Sequence, residues 1–254
     1  MYINLNADIG ESFGAYQIGD DSRLLDVVSS VNIACGFHAG DYRVMHHVVK
    51  QAADRGVRIG AHPGYPDLLG FGRRHIDMSA DEIYQLMVYQ IGALQAVCAV
   101  HHTTLYHVKP HGALYNLATK DEQVAHAVAQ AIKDVDERLL LVGLANSSLL
   151  TAGQNVGLSV VSEVFADRTY TKDGLLTPRG DLNAVITDIA TMQEQVRNLV
   201  FYDCVEATDG TVIDVKADTI CFHGDGDQAY DYARLIRDRL QEEGVRIQAS
   251  EPNG

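Results

Sequence analysis

Three basic side chains fall within five positions at His107-Val-Lys-Pro-His111, and Gly112 follows at once. Two imidazoles that can exchange protons, beside an ammonium that can stabilise negative charge, are the equipment of acyl or phosphoryl transfer. Pro110 stiffens the backbone between Lys109 and His111, which suits a charge clamp held in one place. Comparable clusters recur along the chain. NLNADIGE carries Asn4, Asn6, Asp8 and Glu11, and VNIACGFHAGD carries Asn32, His38 and Asp41. GAHPGYPDLLGFGRR carries His62, Asp67, Arg73 and Arg74. SEVFADRTY carries Glu163, Asp167 and Arg168, and CFHGDGD carries His223, Asp225 and Asp227.

Three chemistries can draw on this set. A metal hydrolase would take Asp8, His38, His62 or His111 as oxygen and nitrogen ligands for Zn, Mn or Ni. The sequence has no HExxH, no HxH and no adjacent carboxylate pair to fix such a site, so a bound metal stays undecided. A carbohydrate hydrolase would need two carboxylates across a cleft, with Asp8 and Glu163 as candidates. Hydrolysis of a ring or amide would use a carboxylate or histidine base, a Lys or Arg clamp for the oxyanion and a histidine acid. Neither GxxxxGK[ST] nor GxGxxG occurs, so no familiar nucleotide loop is visible.

The elements that must position these residues alternate in type. Short β-branched runs at 3–9, 30–35, 58–61, 104–108, 139–144, 159–165 and 219–222 predict strands. Helical spacing covers 42–55, 122–133 and 227–243, and a capping box at Ser79-Ala-Asp-Glu82 opens another helix. A last short strand is expected at 245–249. Strands alternating with helices imply a parallel α/β sheet, either barrel or doubly wound. The arms around Thr208-Asp-Gly-Thr211 predict a β-hairpin over 203–216 outside that sheet. Six of the strands end in the polar clusters named above. In a parallel α/β fold all those ends meet on one face, where ligands bind. One shared site follows as the expectation.

The 254 residues suit one domain, and no repeat or low-complexity linker divides them. Hydrophobic residues make up 46% and charged residues 21%, enough for a sizeable core. The formal net charge of −14 argues against nucleic acid or an anionic membrane as partner, without excluding a local basic pocket. No run approaches about 18 consecutive apolar residues, and the N-terminal MYINLNADIGE lacks the basic region of a signal peptide. Cys35, Cys98, Cys204 and Cys221 show no CxxC spacing, and Cys35 and Cys221 read as buried thiols. A cytoplasmic protein is expected, and a homo-oligomer is left open.

The motifs NLNADIGE, VNIACGFHAGD, GAHPGYPDLLGFGRR, HVKPHGALYN, EVFADRTYTKDGLLTPR and ICFHGD occur in this order. Together they make the chain resemble the LamB/YcsF family, the lactam-utilisation proteins. One departure is Tyr42 after GFHAGD, where the family usually shows proline; it should touch only the start of the next helix. The resemblance implies an irregular seven-stranded β/α barrel of the glycoside hydrolase/deacetylase type. It also implies ATP-dependent cleavage of 5-oxo-L-proline to L-glutamate, with ATP and Mg²⁺, alongside 5-oxoprolinase subunits B and C. On that reading Asp8 or His62 is the base for water. Lys109 and His111 stabilise the former amide oxygen or its phosphate, with His38 beside them. Arg73 or Arg168 pairs with the substrate carboxylate or phosphate, in reach of Asn6 and Asn32. Glu163 and Asp167 orient these cations or hold Mg²⁺, and His223 protonates the leaving nitrogen. The competing readings are a metal-dependent, deacetylase-like amide hydrolase without ATP, and a non-catalytic binding subunit.

Overall fold

A computed structural model describes residues 1–223 and 229–251, residue 223 by its backbone alone. The chain begins with β1 (Tyr2–Ile9), α1 (Asp21–Leu24), β2 (Ser30–Ala34), α2 (Tyr42–Arg55), β3 (Arg58–His62), α3 (Ala80–Val100) and β4 (Leu105–Val108). Then come α4 (Gly112–Ala118), α5 (Glu122–Val135), β5 (Leu140–Leu144), α6 (Ser148–Val156) and β6 (Val160–Phe165). The last part holds α7 (Ile189–Phe201), β7 (Cys204–Glu206), β8 (Val212–Asp214), β9 (Thr219–His223), α8 (Ala229–Glu242) and β10 (Arg246–Ile247).

Seven strands close into a ring. Each of β1 to β5 pairs in parallel with the next, β6 pairs with β9, and β9 returns to β1. This is the expected irregular β/α barrel of the glycoside hydrolase/deacetylase type. The irregularity is visible at Ile59/Gly60, where the register between β3 and β4 shifts. The hairpin expected over 203–216 is present as antiparallel β7–β8, with Val205 opposite Ile213. The last strand is shorter than the pattern predicts: β10 adds two residues beside Tyr2 and Ile3.

Local chemistry explains the helix starts. Asp41 caps α2 by accepting from the backbone N–H groups of Arg43 and Val44. Tyr42, where the family usually has proline, is the first helical residue and is exposed, so the departure stays at that position. The Ser79/Glu82 capping box forms as the sequence predicts. Behind it Ile83, Met87, Ile91 and Leu94 are buried. By length and composition α3 could cross a membrane; here it packs against α2 and α5 and over β3 and β4. The periodicity singles out none of α4, α6 and α7.

The barrel strands are buried on both faces. Along β1, Leu5, Ala7 and Ile9 join the apolar core, while the alternate residues Asn4, Asn6 and Asp8 are equally buried. This second set bonds across the ring: Asn4 to Ser30 and Thr219, Asn6 to Glu163 and Thr219. The interior of the barrel is therefore a hydrogen-bonded polar layer, and the apolar core lies between barrel and helices.

Candidate active site

The polar layer rises along β1 and ends beneath a cavity. His107 on β4 starts a chain of bonds: its Nε2–H donates to the Asn32 carbonyl oxygen at 2.7 Å. Asn32 donates in turn to Asn6 at 2.7 Å and to Asp8 Oδ1 at 2.8 Å. Asn6 donates to Glu163 Oε1 at 3.1 Å. Tyr115 on α4 supplies a further donor, to Glu163 Oε2 at 2.7 Å. Burial lowers the His107 pKa to about 3, so this imidazole stays neutral and acts as a fixed donor. Both carboxylates are thus oriented by amide and hydroxyl groups that cannot themselves ionise at neutral pH.

Lys109 sits between them. Its ammonium lies 3.0 Å from Asp8 Oδ1 and 2.8 Å from Glu163 Oε1. It also donates to Cys221 Sγ at 3.0 Å. Burial by itself would discharge this lysine, but the surrounding acidic groups outweigh burial and hold its pKa well above the ordinary range. Burial pushes the Cys221 thiol well above its usual range, so it accepts from Lys109 as a neutral thiol. An ammonium lodged between Asp8 and Glu163, with Glu163 fully buried, leaves no cleft for a sugar between the two carboxylates. The paired-carboxylate glycosidase reading is therefore set aside.

The histidines form a second group beside the first. His62 Nε2 lies 3.4 Å from Asp8 Oδ2. His62 Nδ1–H donates to the Lys109 carbonyl at 2.8 Å, and His111 Nε2–H donates to the Phe71 carbonyl at 2.8 Å. The two remaining nitrogens, His62 Nε2 and His111 Nδ1, face each other at 2.9 Å. His38 stacks flat on His111, with ring centroids 3.7 Å apart. Glu11 Oε1 approaches His38 Nε2 at 3.6 Å and His111 Nδ1 at 3.8 Å. Burial, reinforced by the neighbouring imidazoles, holds His38 and His111 well below the usual range. The loop that crowds them is unusual. Phe71 adopts φ +54°, and Gly72 beside it takes φ +63° where a Cβ would strike both His38 and His111.

Above these groups opens a cavity of about 500 Å³, within the usual small-molecule range. Asp8, His62, Lys109 and His111 reach it from the barrel. Arg73, Lys120, Arg168 and Arg179 add four more cations to its wall, and Asp8 is its one acid. In a chain of net charge −14 this is a local reversal of sign. Arg168 is partly committed, since its guanidinium donates to the carbonyls of Thr177 and Ala184. Burial, with Arg179 nearby, lowers its pKa to about 10.

Most residues expected at the site come together, at different depths. Asp8, His62, Arg73, Lys109, His111 and Arg168 line the cavity. Asn6, Asn32 and Glu163, two of them expected to touch substrate, lie one layer below and act on Asp8 and Lys109 instead. His38 lies behind His111, fully buried. Asp167 does not line the cavity; its backbone carbonyl accepts from Ile186. The backbone of His223 is in register with Asp8 at the end of β9, and its side chain, with Asp225 and Asp227, lies outside the described residues. Sequence reasoning gave no role to Glu11, His107, Tyr115, Lys120, Arg179 or Cys221.

Residues 3–253 match the LamB/YcsF family across nearly the whole chain. The chain belongs to the LamB/YcsF family. A curated LamB/YcsF relative from Staphylococcus haemolyticus (strain JCSC1435), named as the A subunit of 5-oxoprolinase, is 51% identical over 249 residues, 98% of this chain and all of that one. Another of the same name, from Halalkalibacterium halodurans, is 53% identical over 245 residues, 96% of this chain and 95% of its own. The crystal structure of a lactam utilization protein from Thermus thermophilus superposes with a TM-score of 0.93 at 42% identity, covering 98% of this chain and 100% of that one.

Proposed function

We propose that this chain is the A subunit of a 5-oxoprolinase, opening 5-oxo-L-proline to L-glutamate with hydrolysis of ATP. The observation that carries the reading is the buried Lys109 ammonium, clamped by Asp8 and Glu163 at the floor of a cation-walled cavity. The two relatives that bear the 5-oxoprolinase name support the same substrate.

The chemistry explains the need for ATP. A five-membered lactam holds its amine against its carboxyl, and such arrangements reach effective molarities of ~10⁵ M or more, so opening is disfavoured. Transfer of the ATP γ-phosphoryl group to the lactam oxygen releases ADP and turns a poor electrophile into an imidate-like one. Water adds to that carbon while a base removes its proton. Collapse expels the ring nitrogen, which gains a proton, and leaves an acyl phosphate. A second water hydrolyses this to glutamate and phosphate.

Roles follow from position. Asp8, at the cavity wall with Oδ1 pinned by Asn32 and Lys109, serves as the base. Lys109 stabilises charge on the lactam oxygen or its phosphate. Arg73 and Arg179 on the wall suit the substrate carboxylate and the phosphates of ATP, with Mg²⁺. The cavity exceeds what one lactam ring fills, which leaves space for phosphates. The chain carries no familiar nucleotide loop, so subunits B and C complete the ATP work. One assay tests this: glutamate release and ADP formation from 5-oxoproline, with ATP and Mg²⁺, for the chain alone and with both partners. The expected result is negligible turnover alone and glutamate formed in step with ADP in the complex. Glutamate release by the isolated chain without ATP would overturn the reading in favour of a simple amide hydrolase.

A further inference from the structure

The contact between His62 and His111 lacks something in purely protein terms. A carbonyl oxygen only accepts, so His62 Nδ1 and His111 Nε2 must carry the protons given to Lys109 and Phe71. In neutral rings, His62 Nε2 and His111 Nδ1 then point lone pairs at each other across 2.9 Å. His38 raises the same difficulty, because neither ring nitrogen of this buried side chain has a hydrogen-bond partner among the described residues. A carboxylate, Glu11, meets these imidazoles from the end of β1. One ligand atom from each of Glu11, His38, His62 and His111 falls within 4.8 Å of the other three.

We infer that Glu11, His38, His62 and His111 form a binding site for one divalent transition-metal ion of the zinc type. A tetrahedron with bonds of about 2.0–2.1 Å has edges of about 3.3 Å. The contacts of 2.9, 3.6 and 3.8 Å around this cluster bracket that edge. Three imidazoles and one carboxylate, with no thiolate, are a donor set for Zn²⁺, Co²⁺ or Mn²⁺. The outward nitrogens of His62 and His111 are tied to backbone carbonyls, the arrangement that orients metal-bound histidines. The left-handed Phe71 backbone, which aims one of those carbonyls, fits the same purpose. Asp8 is not part of the set: Lys109 and Asn32 hold its Oδ1. Because His62 and His111 line the cavity, the ion would lie at its floor beside Asp8.

The test needs no substrate or partner. The exposed pair His46 and His101, 3.2 Å apart, could capture metal adventitiously, so the protein used carries His46→Gln and His101→Gln. It is incubated with Zn²⁺ or Co²⁺, dialysed, and its metal content, Co²⁺ absorption and melting temperature are recorded. One ion per chain is expected, with the d–d absorption of a low-coordinate nitrogen–oxygen Co²⁺ site and a melting temperature raised by the metal. Adding Glu11→Gln or His38→Ala should weaken Co²⁺ binding by at least ~10²-fold. The melting and absorption readouts on the chain with Glu11 and His38 intact decide the matter even if those variants fold poorly. No retained ion and no thermal shift with Zn²⁺, Co²⁺ or Mn²⁺ would overturn the site, and would assign the His62–His111 contact to a shared proton. Full metal retention in folded Glu11→Gln and His38→Ala variants would overturn it equally.

Discussion

Lys109→Met removes the one cation between two buried carboxylates, and the structure sets the scale of the result. Methionine keeps the length and packing of the lysine stem, so the change is electrostatic. Asp8 and Glu163, both buried, are left facing each other without their ammonium. Breaking a buried pair by deleting one partner costs about 3–5 kcal/mol, because an uncompensated charge remains. That cost depends on pH. The folded variant gains by taking up a proton on the carboxylate pair, which the unfolded chain would release. Its folded form then binds more protons than its unfolded form, and stability falls as pH rises. Urea unfolding should therefore show a deficit of about 3–5 kcal/mol near about pH 8 that shrinks toward about pH 5. Turnover of the assembled enzyme should drop at least ~10²-fold at either pH, the scale of losing one charge-stabilising donor. The double variant Lys109→Met/Glu163→Gln should regain part of the stability and none of the activity. A stability deficit equal at both pH values would refute the buried-charge argument. Near-normal turnover would remove Lys109 from the mechanism.

Two further outcomes rest on other parts of the fold. Burial raises the Asp21 pKa from 3.8 to about 6, above its unfolded value, so its charge destabilises the folded state above that range and the cost vanishes as pH falls through it. Asn can still accept from the Gly10 N–H, so Asp21→Asn should raise unfolding free energy by about 1–2 kcal/mol at neutral pH, after discounting for partial exposure, and by nothing near about pH 4; equal gains at both would refute it. Gly60→Ala would drive a methyl into the His107 ring, which holds Asn32 and through it Asp8. It should cost about 1–3 kcal/mol and reduce kcat more than it raises KM, read by unfolding and by kinetics of the complex; unchanged kcat would show that the His107–Asn32 chain does not set the pose of Asp8.

The strands, the hairpin and the capping box were legible because each is written locally. Alternation, Asp-Gly and Ser-Ala-Asp-Glu report on neighbours a few residues away. The shared face of the strand ends was legible as well, because parallel pairing forces it. Depth was not. Nothing local distinguishes Asn32, which steadies Asp8 from below, from Arg73, which reaches open space. A signal did exist in β1, where Asn4, Asn6 and Asp8 recur at every second position of an otherwise apolar strand. That period places three polar groups on one buried face, which marks a polar barrel interior. His107 alternates with Lys109 in the same way on β4 and the loop after it. Glu11 and Cys221 had no such mark. Their partners come from strands distant in sequence, and only the closed ring brings them together.

The layering separates two tasks that a single charged pocket would confuse. At the floor, one ammonium meets two carboxylates, while burial keeps the flanking histidines neutral. That layer has no net attraction for an anion, so it cannot supply the binding energy for one. The wall can, because Arg73, Lys120, Arg168 and Arg179 surround the opening while the body of the protein is strongly acidic. An anionic ligand is therefore held by its charged end at the wall and presents its uncharged portion to the floor. For a lactam acid this places the carboxylate outward and the amide carbon toward Asp8 and Lys109. Holding groups that bind ground and transition states alike apart from groups that act on the reacting carbon lets the floor be organised for catalysis alone. It also explains why the floor is braced by so many amide and hydroxyl donors. A base and a clamp that contribute little to binding must be positioned by the protein, since the substrate's own charge does not do it.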